Sequence, residues 1–294
     1  MNYCPWCGKP SEKQILHLKD YFLSQEEFDI FECSHCGLRF TLPRPLPDVI
    51  GKYYQSEAYY SHQQNKKGFI PRLYEWVKTL NLKNKVKLAT DGLPLGKLLD
   101  IGCGVGDFLC QVKLHGWDVV GIEPSDDAKN IAESRLGFRP FSPSGSVNLP
   151  DESFDVITLW HVLEHIDDLK FQTDEILRLL KPNGRLVVAL PNYQSFDCQY
   201  YKDKWAAWDV PRHLNHFSPD TLCKIFSSLG FVPLDTTKLV WDAYYISFLS
   251  ERYAGHSLPL LRGAFVGLKS NCKARRSGMY SSLVYRFQKT SNNG

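Results

Sequence analysis

Four of the nine cysteines stand in two matching turns, Cys4 and Cys7 in "CPWCG" and Cys33 and Cys36 in "CSHCG". Two residues between thiolates let one tight turn present both sulfurs to a single tetrahedral ion, and two such turns complete its shell. A closed four-sulfur shell keeps no open position, so the ion implied is a structural zinc. Gly8 and Gly37 follow the second cysteine of each pair, where a permissive backbone lets amide N–H groups face sulfur. Two redox pairs are the competing reading, disfavoured by the doubled motif. His35, inside the second turn, is expected to face solvent. A second group is "WDVPRHLNHFS" at 208–218, which packs His213 and His216 with an arginine, an aspartate and large aromatics. These histidines are candidates for a general base in proton transfer, or else they tie a loop down. His213 is the stronger candidate, because it lies farther from the helix that follows.

A third group is "DIGCGVGD", where Gly102, Gly104 and Gly106 permit a sharp turn close to a ligand. Nicotinamide enzymes use a similar turn, but their fingerprint wants glycine where this chain has Asp107. Asp100, just before the turn, would repel a pyrophosphate and attract a ligand carrying an ammonium and a sulfonium. Glu123, at the end of the next hydrophobic run, is placed to accept from both hydroxyls of a ribose. The cofactor these residues suggest is S-adenosylmethionine.

The elements that must position these groups alternate. "KLLDIGC", "WDVVGIEP", "FDVITLW" and "RLVVALP" read as buried strands, and "DFLCQVKLHG", "SDDAKNIAESRLG" and "DEILRLLKPNG" read as helices between them. Ser125 is the expected N-cap and Gly137 the C-cap of one helix, and Ser218 followed by Pro219 opens another. Phe217 and Leu222 sit at the two positions of a hydrophobic staple. Such alternation predicts a parallel sheet covered on both faces, with ligands at the carboxyl ends of its strands. "KQILHL" and "FDIFEC" suit small ribbon strands, "LPRPLPD" marks a boundary, and 49–90 looks helical. Late β-rich stretches at 231–240 and 281–288 are separated by too many residues for a hairpin turn.

Residues 95–240 resemble the class I S-adenosylmethionine-dependent methyltransferases, on "LLDIGCGVGDFL", "VVGIEPS", "LPDESFDVITLWHVLEH" and "LKPNGRLVVALPN" together. The resemblance implies a doubly wound, mostly parallel, seven-stranded Rossmann-like sheet with a small N-terminal zinc ribbon. It implies that Asp100, Gly102, Cys103, Gly104 and Gly106 hold the methionine end, that Glu123 and Pro124 border the ribose, and that Ser146 and Val147 lie beside adenine. Many relatives carry an aspartate before "LP" where this chain reads "SGSVNLP", so the adenine contact departs from the pattern. Trp160 and His161 would line the cofactor floor. Similar "H-x-x-H-F-S" segments occur in zinc-ribbon methyltransferases of bacterial carbohydrate and secondary-metabolite pathways, where in some a histidine resembles a general base. The division expected is a ribbon over 1–42, a linker with helices over 43–95, and a catalytic domain over 96–294 with an insertion at 241–280. The insertion would act as a substrate lid, a dimer contact or a lipid-touching surface.

Other readings are weaker. "HVLEH" at 161–165 fits an inverted zinc-peptidase pattern, but it directly follows a strand and lacks a third ligand. A formal charge of +3, with "KARR" at 273–276 read as a solvated turn, gives no broad basic field for a nucleic acid. A zinc-ribbon RNA methyltransferase and a noncatalytic binding module are the rival functions. Without a signal-like N-terminus or an apolar run near 20 residues, no membrane span is expected, and nine cysteines favour a reducing, cytoplasmic location. The acceptor expected is a small or mid-sized molecule, a saccharide, a lipid-linked compound or a secondary metabolite.

Overall fold

The computed structural model describes residues 2–46, 49–54 and 81–291. Leu98, Leu99 and Ile101 are buried, which makes Lys97–Ile101 (β4) a central strand. It is flanked in parallel by Asp118–Ile122 (β5) and Phe154–Trp160 (β6), and β6 pairs in parallel with Leu180–Pro191 (β7). Ser282–Lys289 (β10) then runs antiparallel between β7 and Phe231–Lys238 (β9), giving the order β5-β4-β6-β7-β10-β9. The sheet has six strands where seven were expected. At its outer edge only Phe141 bridges Ile122, so the seventh strand is reduced to a single pair. Its neighbours Arg139 and Pro140 leave no run of apolar residues that a longer edge strand could bury.

The crossovers obey their local signals. Asp107–Leu114 (α1) stops before Gly116, whose φ is 88°. Asp126–Leu136 (α2) is capped by Ser125 Oγ accepting from Ala128 N, and it ends on Gly137 in the left-handed conformation. Leu169–Leu179 (α3) starts five residues before the expected "DEILRLLKPNG", because Asp168 accepts from Phe171 N and caps it there. "LKPNG" belongs instead to the start of β7. Of the expected helical stretch at 49–90, Ile50–Tyr54 forms a 3-10 turn and 81–90 is helical; 55–80 lies outside the described residues.

The N-terminal sheet holds Lys13–Lys19 (β1), Glu27–Glu32 (β2) and Arg39–Leu42 (β3), all antiparallel. Its fourth strand comes from far along the chain. Asn215–His216 (β8) pairs with β3 in the register Arg39 to His216 and Phe40 to Asn215. One apolar core runs through both parts, since Cys33, Leu38 and Phe40 cluster with Leu159, Leu163, Phe217 and Leu222. Between β7 and β8 lies Phe196–Tyr201 (α4); after β8 comes Pro219–Ser228 (α5). The 241–280 insertion is a helical hairpin, Asp242–Tyr253 (α6) and Pro259–Ser277 (α7), and it connects β9 to β10. "KARR" therefore lies in the last turns of α7 and not in a turn of its own.

Candidate active site

The carboxyl ends of β4, β5 and β6 bring together the residues expected to meet the cofactor. Asp100 is 2% exposed, and its carboxylate accepts from Thr158 Oγ1 at 2.6 Å. Burial pushes its pKa up to about 7, against the Thr158 hydrogen bond and the positive charge of Lys85. The chain then turns through Gly102, where φ is 72° and a Cβ would meet Val162 at 2.4 Å. Glycine is required there on both counts. At Gly104 nothing lies within 4 Å of an added Cβ, so the backbone faces open space. Cys103 donates its amide to Ile122 O, and Gly106 precedes α1 with φ 80°.

Glu123 follows β5 and is held by two amides: Gly104 N donates to Oε2 and Ser125 N to Oε1, each at 2.9 Å. Each oxygen keeps a further lone pair, so the carboxylate can still accept from a diol. Pro124 leads directly into the cap of α2. The next segment begins beside this carboxylate, since Glu123 N donates to Phe141 O at 2.9 Å. It continues as a 3-10 turn, Pro143–Asn148, which contains Ser146 and a half-exposed Val147.

Trp160 and His161, expected to form the cofactor floor, stand at the end of β6. The Trp160 indole lies under the Lys85 ammonium at 4.8 Å, and its Nε1 is buried without a hydrogen-bond partner. A cation thus stands over the ring and lowers the Asp100 pKa through its charge. His161 has a left-handed φ of 58° and reaches Glu164 Oε1 and Asp242 Oδ2, both at 3.3 Å. Burial alone would lower its pKa; Asp242 and then Glu164 raise it to about 9, so it is a cation at neutral pH. Spacing in the sequence singled out neither Lys85 nor Asp242. Both approach from elements distant in the chain, and no local pattern marks them.

Leu163–His165 is a 3-10 turn, and His161 and His165 do not share a helical face as a peptidase motif needs. Glu164 is 1% exposed, and neither carboxylate oxygen has a hydrogen bond. Burial raises its pKa, but His161, together with His165 and His213, outweighs that and the net shift is downward. Its backbone carbonyl accepts from Leu214 N at 2.7 Å, and His165 Nδ1 lies 2.9 Å from Arg212 O. Both residues therefore tie this turn to the 208–218 loop.

The two loop histidines differ. Thr41 Oγ1 donates to His213 O at 2.7 Å and accepts from His216 Nε2 at 2.9 Å. His216 is buried in β8, and burial holds its pKa well below the usual histidine value. His213 donates Nδ1–H to Ala207 O at 2.9 Å, which leaves the Nε2 lone pair unclaimed by any hydrogen bond; Asp209 Oδ2 is 3.9 Å away. A small cavity lies here, lined by Glu164, Tyr193, Trp205, His213, His216 and Phe217. The expected cap and staple are present: Thr221 N donates to Ser218 Oγ at 3.1 Å, and Phe217 and Leu222 are both buried. Arg212 locks the loop to the N-terminal sheet, reaching Asp209 at 2.6 Å and Asp20 at 3.0 Å with almost no exposure.

Cys4, Cys7, Cys33 and Cys36 converge within 4.8 Å of one another, with Cys4–Cys36 and Cys7–Cys33 sulfurs 3.5 Å apart. A tetrahedral zinc with bonds of about 2.3 Å sets sulfurs about 3.8 Å apart, so the four thiols have the spacing of such a shell. Gly8 and Gly37 donate their own amides to Cys4 O and Cys33 O. Amides that reach sulfur include those of the following residues, Lys9 at Cys7 and Leu38 at Cys36, and those of Trp6 and Cys7 at Cys4. His35 is exposed.

Comparison with known proteins agrees with this geometry. The model of the methyltransferase domain family matches residues 73–236. The ubiquinone biosynthesis O-methyltransferase of Rhodopseudomonas palustris strain BisB5 is 29% identical over 160 residues, which is 50% of this chain and 62% of that protein. The mitochondrial ubiquinone biosynthesis O-methyltransferase of Bos taurus is 31% identical over 201 residues, 60% of this chain and 54% of that protein. The chain thus spans less than two-thirds of either relative. A SAM-dependent methyltransferase of Archaeoglobus fulgidus shares the fold, with a TM-score of 0.51 at 18% identity, over 80% of this chain and 100% of that one. By the family match across more than half its length and by its sheet, the chain belongs to the class I S-adenosylmethionine-dependent methyltransferases.

Proposed function

We propose that the protein transfers a methyl group to a small or mid-sized acceptor that must lose a proton, a hydroxyl above all, with His213 as the general base. The observation that carries this is the unequal commitment of the two histidines. His216 is engaged through Nε2 with Thr41 and serves as an anchor; His213 is fixed by Ala207 O in the tautomer whose free Nε2 can take a proton. When bound, S-adenosylmethionine supplies an electrophilic methyl on a sulfonium. Asp100 would hold its cationic end, Glu123 the ribose, the 143–148 turn the adenine, and Trp160 the floor. Relatives named as O-methyltransferases support an oxygen acceptor, and a small net charge of +3 favours a small molecule over nucleic acid. A zinc ion on Cys4, Cys7, Cys33 and Cys36 would be structural, setting the sheet to which the loop is joined.

The test is His213→Ala, assayed by formation of S-adenosylhomocysteine across a panel of saccharide, phenolic and lipid-linked hydroxyl acceptors. Loss of a positioned base lowers the rate by about 10² to 10⁴. Cofactor affinity and melting temperature stay near wild type, and added imidazole restores part of the rate. A lower melting temperature with an unchanged rate constant would assign His213 to the scaffold.

A further inference from the structure

The α7 helix is packed inside out. Its inner face is mostly small: a Cβ on Gly263 would stand 2.7 Å from the Phe248 backbone and one on Gly267 2.9 Å from Tyr244, while Val266, Ser270, Asn271 and Ala274 complete the buried stripe. At 100° per residue, Leu261, Phe265, Leu268 and Cys272 fall on the opposite side, facing solvent. The three large ones are 66%, 67% and 52% exposed, and Leu258, Leu260 and Tyr245 on the same hairpin are more than half exposed. A water-facing helix normally shows the reverse pattern, so this face is built to be covered.

Charge indicates by what. Among its nineteen residues, α7 has no acidic side chain. Arg262 is paired with the buried Glu251, but Lys269, Lys273, Arg275 and Arg276 have no ion pair among the described residues. Three of these cations border a groove of about 620 Å³ against α4, where Lys269 and Lys273 lie over the Phe196 ring. A two-fold contact with a second copy would bring both sets of unpaired cations together, which opposes that occupant. Apolar side chains flanked by cations, with aromatic Trp241 and Tyr245 beside them, match the interface of an anionic bilayer.

We propose that the outer face of α7, with the cationic groove beside it, docks on an anionic phospholipid surface. No helix among the described residues is long and apolar enough to cross a membrane, so the attachment is peripheral. The first residue of the hairpin's α6, Asp242, contacts His161, so the hairpin that carries the docking face also reaches the expected cofactor floor.

The full-length protein would be sedimented with vesicles of phosphatidylcholine alone, and of phosphatidylcholine with phosphatidylglycerol in equal parts. Binding is expected to the mixed vesicles only and to fall as salt is raised. Replacing Leu261, Phe265 and Leu268 together by serine should weaken it about tenfold or more. Replacing Lys269, Lys273 and Arg276 by glutamine should do the same. Both variants should keep the wild-type melting temperature and S-adenosylhomocysteine affinity. Cys272 is the one exposed cysteine of the nine, so an environment-sensitive dye there reports contact in the unaltered sequence. A blue shift with mixed vesicles supports the proposal even if a triple variant folds poorly. No sedimentation and no shift, or equal binding to both vesicle types, overturns it. So does a dimer in lipid-free solution that the apolar variant converts to monomer. None of these readings uses methyl transfer, so this proposal fails separately from the catalytic one.

Discussion

Asp100 illustrates how one buried carboxylate can make cofactor binding depend on pH. Burial raises its folded value to about 7, above the unfolded 3.8, so its contribution to apo stability is full below the unfolded value and is lost as pH rises through 7. A cationic ligand reverses that preference, because it favours the ionised form. Affinity for S-adenosylmethionine should therefore fall about tenfold per pH unit below 7 and level off above it, read by calorimetry. Asp100→Asn should remove the pH dependence and weaken binding at pH 8 by about 1.5–3 kcal/mol. A wild-type affinity that stays flat from pH 5 to 8 would contradict the assignment. This carboxylate and the glycine turn were legible in the sequence, because their roles depend on neighbours within a few positions. The second partner of His161 was not: Asp242 reaches it from the inserted hairpin, 81 residues on in the numbering of the chain.

At the scale of elements, caps and turns were readable and strand partners were not. Ser125, Gly137 and Ser218 act where their types indicated, since a cap bonds only to its own first or last turn. The start of α3 was misplaced because Asp168 caps it ahead of the apolar run that drew attention. The pairing of β3 with β8 is set by contacts such as Thr41 to His216, 175 residues apart, and no local pattern encodes that. The buried Asp20–Arg212–Asp209 cluster secures the same junction. Asp20→Ala leaves Arg212 short of one partner and should cost about 3–5 kcal/mol in urea unfolding. Turnover should fall with it while S-adenosylhomocysteine affinity changes little, because Asp20 contacts the loop and not the cofactor residues.

For the whole molecule, the consequence is that the N-terminal sheet, through β3 and Thr41, holds the loop that carries His213 and His216. Elemental analysis of protein purified without added metal should give close to one zinc per chain. Extraction with a chelator, or Cys33→Ser, should lower the melting temperature and the methylation rate together, while S-adenosylhomocysteine binding shifts less than about threefold. Rate loss without structural loss would separate the ribbon from the loop it pairs with. Cysteine spacing announced the convergence of four thiols, yet a division into ribbon and catalytic parts understates how they join, because Cys33, Phe40, Phe217 and Leu222 share one core.

The order of synthesis adds a demand of its own. The three strands β1 to β3 leave the ribosome well before β8, and the strand that covers β3 follows some 175 residues later. At about 5–20 residues per second, β3 stays open for roughly 10 to 35 seconds. An uncovered strand edge is a template for pairing with other chains. The nascent ribbon must therefore pass this interval as an unfinished sheet, and chains cut short before residue 215 should aggregate where a chain that includes β8 and the rest of the fold does not.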